Sequence, residues 1–91
     1  MASNLRWTFV FSERAKKEFG KLDSSIQKRV QQLILRIIAS DDPKKEAKPL
    51  TGTLKHLYRY RVGDYRVICT IHDRTLTICA VSIAHRRESY K

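Results

Sequence analysis

Two clusters of groups able to bind a phosphodiester and move protons around it stand in the second half of the chain. The first is Tyr58-Arg59-Tyr60-Arg61-Val62-Gly63-Asp64-Tyr65-Arg66, and the second is His85-Arg86-Arg87-Glu88-Ser89-Tyr90. RNA cleavage without a metal uses the adjacent 2′-hydroxyl as nucleophile. It needs a base near that hydroxyl, a proton donor for the leaving 5′-oxygen and positive charge on the phosphorane. Arginine supplies fixed charge, and its planar fork suits phosphate oxygens. Histidine near its ordinary pKa can take or give a proton. A tyrosine, with an ordinary pKa of about 10, becomes a base only where nearby cations lower it, and it can equally stack on a nucleobase.

The elements that must position these groups follow from periodicity. Leu5 to Phe11 alternates and is rich in Trp, Thr, Phe and Val, which predicts a strand. Ser12 is a natural N-cap for a helix to about Leu22, with Ala15, Phe19 and Leu22 on one side. Asp23 and Ser24 restart the chain, with Gln27 placed as in a capping box. Ile26, Val30, Leu33, Ile34, Ile37 and Ile38 then carry a second helix to about Ala39. The Lys, Arg and Gln residues of both helices read as solvated outer positions. Ser40 to Thr53, with both prolines, reads as a loop. Strands are expected over 54–62, 65–72 and 75–84. The order β-α-α-β-β-β predicts an α+β domain over residues 1–91, a small antiparallel sheet with two helices packed on one face.

Gly63-Asp64 is a two-residue hairpin signal, because both positions tolerate a positive φ. With these as loop residues, Val62 pairs with Tyr65 and Arg61 with Arg66, and the period of two brings Arg59 to the same face. The opposite face receives Tyr58, Tyr60, Val62, Tyr65, Val67, Cys69 and Ile71. Like charges opposite one another repel, so three arginines on one face call for an anion. The last strand leaves two registers open. A two-residue loop at Asp73-Arg74 puts His85 on the arginine face. A three-residue loop through Thr75 puts Arg86 there and sends Thr77, Cys79, Val81 and Ile83 inward, which is the preferred arrangement. His56 and His72 read as surface residues and Trp7 as packing.

Composition narrows the class. Lys and Arg number 19 against 9 Asp and Glu, for a net charge of +10 in 91 residues, which favours a polyanionic partner. Cys69 and Cys79 fall in apolar stretches with neither metal-site nor C-x-x-C spacing, as expected of reduced thiols in a cytoplasmic protein. No apolar run approaches the ~20 residues of a membrane span. No Gly-rich phosphate loop, carboxylate metal cluster or Ser/Cys triad is visible.

Pro49-Leu50-Thr51-Gly52, Leu57 through Ile68, and the His85 to Tyr90 ending together resemble the RelE-type toxins of the RelE/ParE toxin–antitoxin superfamily over nearly the whole chain. The resemblance implies a cytoplasmic endoribonuclease that enters the ribosomal A site and cuts messenger RNA there without metal or other cofactor. Its products would carry a 2′,3′-cyclic or 3′ phosphate. By position, Arg59 and Arg61 match basic strand residues near the scissile phosphate, and Arg66 matches the arginine after the turn. Arg86 matches the last-strand arginine that stabilises or protonates the leaving group. Tyr90 matches a terminal tyrosine that stacks on the substrate and assists proton transfer. RelE toxins are known with lysines where this chain has Arg59, Arg61 and His85. Arginine cannot serve as a base, which leaves His85 or Tyr90 for that role. Arg87 joins Arg59 and Arg61 as a substrate-binding candidate. The implied partners are the 70S ribosome with its message and a cognate antitoxin, through which the complex binds operator DNA.

Two other classes stay open. ParE toxins share the fold and the Gly-Asp-Tyr-Arg and His-Arg-Arg segments, but inhibit DNA gyrase by binding it. An inactive basic partner that only binds RNA or an antitoxin is the third.

Overall fold

The computed structural model describes residues 6–52 and 56–85. A first strand, β1 (Thr8–Phe11), leads into helices α1 (Glu13–Gly20) and α2 (Ser24–Ile38). A 3₁₀ turn (Pro43–Lys45) and a two-residue strand, β2 (Lys48–Pro49), follow. The chain then forms β3 (Tyr58–Val62), β4 (Tyr65–His72) and β5 (Thr77–His85). The expected α+β order is present, with β2 added inside the stretch read as a loop. The five strands lie in the order β1-β5-β4-β3-β2. β2 through β5 pair antiparallel, and β1 closes the other edge by running parallel to β5.

Both helices pack on one face of the sheet. Ala15 of α1 and Val30, Leu33 and Ile37 of α2 meet Tyr60, Val62, Val67, Cys69, Ile78, Ala80 and Ile83 in a single core. Phe11 bridges strand and helix, its ring 5.4 Å from that of Phe19 in an edge-to-face contact. Trp7 is buried, as a packing residue should be. Ser12 caps α1 by accepting the Ala15 N–H at 3.0 Å, while its own hydroxyl donates to the Val81 carbonyl at 3.2 Å. The helix start is thereby tied to β5.

The capping box expected at Ser24 is not formed. Asp23 is the N-cap of α2, and the Gln27 amide instead donates to the Phe19 carbonyl at 2.9 Å. That bond joins the Leu22 N–H on a last-turn carbonyl of α1 and ties the two helices of the hairpin together.

The β5 expectation needs correction. The turn after β4 spans four residues, Asp73 to Leu76, neither of the two lengths considered, and His72 pairs with Thr77. Ile78 and Ala80 therefore point inward, where Thr77 and Cys79 were expected. A bulge then inserts Val81, since Ile68 pairs with Ser82 but Cys69 pairs with Ala80. It resets the alternation so that Ile83 packs in the core, as expected. Beyond Ala80, β1 no longer pairs with β5. Glu18 of α1 takes over the exposed edge. One carboxylate oxygen accepts the Ile83 N–H at 2.7 Å and the Ser82 hydroxyl at 3.3 Å, and the other accepts from Arg14 at 3.2 Å.

Tyr60, the largest fully buried side chain, donates from its hydroxyl to the Pro43 carbonyl at 2.7 Å. That hydrogen bond pins the Pro43–Lys45 turn over the core. Burial raises the Tyr60 hydroxyl and the Cys69 thiol above their ordinary pKa values of 10.0 and 9.0. Both groups stay neutral in the fold but ionise in the unfolded chain, so their contribution is fully present below about pH 9 and lost as pH rises. The urea midpoint should therefore hold level through neutral pH and fall in alkali. Tyr60→Phe should flatten part of that fall while costing about 1 kcal/mol at pH 7. Glu18→Ala should cost about 1–2 kcal/mol by orphaning the Ile83 N–H, and Glu18→Gln, which keeps an acceptor, should recover most of it in the same measurement.

Candidate nucleic-acid interface

The hairpin positions the cationic groups. Gly63 adopts a φ of +57°, a left-handed conformation that glycine takes without penalty, and the Gly63-Asp64 turn sets the register of both strands. Val62 pairs with Tyr65, Arg61 with Arg66, and Arg59 with Ile68, as the sequence implied. Pairing continues across β4 into β5, where Arg66 meets Ala84 and Ile68 meets Ser82. Two cross-strand rows result on the face away from the helices: Arg61, Arg66 and Ala84 in one, and Arg59, Ile68 and Ser82 in the other. Arg61 is exposed, and Arg59 and Arg66 are half-buried.

The structure separates His85 from this group. His85 pairs with Tyr65, and their rings meet edge to face at 5.1 Å and 85°. Tyr65 belongs to the face that the helices cover, so His85 stands on the side opposite Arg61 and Arg66. The four-residue turn and the bulge account for this placement, which differs from the register that would have brought His85 to the arginines. Arg86, Arg87 and Tyr90 lie outside the described residues. His56 and His72 are exposed, as expected, and His72 shares a 2.9 Å hydrogen bond with Thr70.

At the hairpin end of β3 lies a feature the sequence reading passed over. β2 pairs with Tyr58 and Arg59, and among the described residues no strand pairs with the β3 edge beyond them, which lies toward α2. There a cleft of about 240 Å³ is lined by Arg29, Gln32, Leu33, Arg36, Arg61 and Val62. The Arg29 guanidinium lies over the turn, so near that a Cβ on Gly63 would come within 3.0 Å of it. The far wall is fixed by Arg36, which pairs with Glu46 at 2.9 Å. The hydrogen bond from Arg36 holds the Glu46 carboxyl below its ordinary pKa and raises that of the guanidinium. The signal was present in the spacing: positions 29, 32 and 36 fall on one helical face. In α2 alone they read as solvated positions, because nothing in the helix shows that β3 faces them.

These features define a small α+β domain with a cationic sheet face, and its relatives define it further. The family described as "ParE toxin of type II toxin-antitoxin system, parDE" matches residues 9–90. The chain belongs to that family, within the RelE/ParE superfamily. It is 28% identical over 80 residues to the mRNA interferase toxin RelE of Escherichia coli K12, covering 87% of this chain and 82% of the relative. The isolated E. coli RelE toxin superposes with a TM-score of 0.73 at 21% identity, covering 91% of this chain and 87% of that one. The archaeal RelE–RelB complex from Pyrococcus horikoshii gives 0.73 at 21%, covering 93% of this chain and 100% of that one. The YoeB/ParE toxin from Agrobacterium tumefaciens gives 0.70 at 11% identity, covering 86% of this chain and 96% of that one. The resemblance in fold thus reaches toxins of both names. Among the described residues no helix is long and apolar enough to cross a membrane.

The pairing of Arg61 with Arg66 sets two like charges side by side, with Arg29 and Arg36 nearby. Arg61→Gln should raise the urea midpoint at low salt, by about 0.2–1 kcal/mol, because it relieves that repulsion. The gain should shrink as added salt screens the charges.

Proposed function

We propose that this toxin is a ribosome-dependent, metal-independent endoribonuclease that cleaves messenger RNA in the ribosomal A site. The observation that carries the reading is the register that sets Arg59, Arg61 and Arg66 together on one face of the sheet. Cleavage through a phosphorane adds negative charge to the non-bridging oxygens, and three fixed cations meet that charge without giving up a proton. The relative named mRNA interferase toxin supports the same chemistry.

In this reading Arg61 and Arg66 hold the scissile phosphate, with Arg59 and Arg87 as further phosphate ligands. Arg86 stabilises the leaving 5′-oxygen. The base that takes the 2′-hydroxyl proton must stand beside the arginines. Because His85 faces the other way against Tyr65, the reading assigns that role to Tyr90, whose phenol ionises more readily where cations crowd it, so that its phenolate can take a proton. His85 is then a packing residue at the end of β5. The cytoplasm, where ribosomes and message meet, is the proposed place of action. A cognate antitoxin is proposed as partner, since related toxins are solved as RelE–RelB complexes; an acidic, partly disordered chain would suit the basic face and would carry the operator-binding function.

A second reading has a specific observation in its favour: the matching family is that of ParE toxins. It makes the protein an inhibitor of DNA gyrase that binds without cutting RNA.

The deciding experiment adds purified protein to programmed 70S ribosomes carrying a labelled message, with a chelator present, and maps the 3′ ends. Discrete cuts at the A-site codon are expected. Arg61→Ala, Arg66→Ala and Arg86→Ala should each lower the rate by roughly 10²-fold or more, in line with removal of a transition-state charge donor. Unchanged rates in all three variants would remove the proposal. Intact message, with gyrase-dependent breaks in DNA, would establish the second reading.

A further inference from the structure

The cleft between α2 and the open edge of β3 has the makings of a ligand site of its own. Three of its six lining residues are arginines, one is a glutamine, and none is acidic. Glu46 touches Arg36 from outside the cleft and fixes the direction of that guanidinium. Arg29 and Gln32 come from the exposed face of α2, and Gly63 leaves room for the Arg29 head group to lie over the turn. Arg61 belongs to both places. It pairs with Arg66 on the sheet face, and it also lines the cleft.

We infer that this cleft is a phosphate subsite for the RNA strand, holding a backbone phosphate that flanks the one on the arginine face. The inference rests on the ribonuclease reading for the identity of the strand. Guanidinium forks and an amide donor match the non-bridging oxygens of a phosphodiester, and no acidic residue lines the cleft, Glu46 pairing with Arg36 from outside it. Continuity decides for RNA over an acidic polypeptide. A strand whose phosphate sits between Arg61 and Arg66 meets the cleft on passing the edge of β3, and one side chain, Arg61, spans the two sites. Contacts to a flanking phosphate position the strand and carry no base information, so the subsite serves affinity and register rather than codon choice.

Arg29→Gln removes a charge from the cleft, and Gln32→Glu places a carboxylate in it. Neither touches the arginine face, and both positions are exposed on α2. Binding is read as fluorescence anisotropy with a labelled, fully 2′-O-methylated oligoribonucleotide, in which the nucleophile is blocked, across a salt series. Both variants should bind more weakly. In Arg29→Gln the slope of log K against log salt should be shallower by roughly 0.7, the value for one lost contact to a single strand. Single-turnover cleavage at saturating ribosomes should stay at the wild-type rate in both. An unchanged slope in Arg29→Gln, or no binding by the wild type, overturns the subsite. So does a loss confined to binding of a poly-glutamate peptide, which would make the cleft a protein-binding surface. Failure of the ribonuclease reading shows separately, as absence of cleavage by the wild-type protein.

Discussion

The two-residue turn at Gly63-Asp64 constrains everything on the cationic side of this molecule. It fixes the pairing of β3 with β4, and a one-residue slip would send every side chain of the two strands to the other face. The observed register puts Tyr60, Val62, Val67 and Cys69 into the core, so the apolar free energy of the domain enforces it. The same choice of register forces Arg61 against Arg66. Hydrophobic burial on one face therefore holds together a charge arrangement on the other that would not form by itself. The core supplies the energy and the arginines spend it, as expected of a site preorganised for an anion.

The hairpin could be read from sequence because all its determinants are local: a turn dipeptide, a period of two and a clear apolar set within nine residues. β5 could not. Its phase depends on a four-residue turn and on the bulge at Val81, and the bulge depends on what lies beside it. β1 ends at Phe11, and the strand edge beyond must find another acceptor for the Ile83 N–H. That acceptor is Glu18, which sits 65 positions away in sequence. No pattern within β5 encodes a carboxylate on α1, so strict alternation was extended through a place where the strand breaks it. The expectation failed at Thr77 and Cys79 and held again at Ile83.

The cleft was illegible for a related reason. Arg29, Gln32 and Arg36 form a polar stripe on α2 that any solvated helix could carry. Its meaning comes from the neighbour. β2 is two residues long and, among the described residues, no strand covers the hairpin end of β3, so the stripe faces a strand edge instead of water alone.

Choosing arginine at positions 59, 61 and 66 has a chemical consequence for the remainder of the site. A lysine beside a phosphate can shed its proton and act as a base, whereas a guanidinium stays charged through the whole pH range in which the protein is folded. Arg59, Arg61 and Arg66 therefore supply charge and donors but cannot themselves accept a proton. On the proposed ribonuclease reading, with His85 turned toward Tyr65, the base comes from elsewhere, either from the chain beyond β5 or from the surface on which the RNA is presented. On that reading, a site divided in this way would be inert toward a strand held only by its phosphates. It would act once both strand and base are in place, which fits the proposed dependence on a ribosome that presents the substrate.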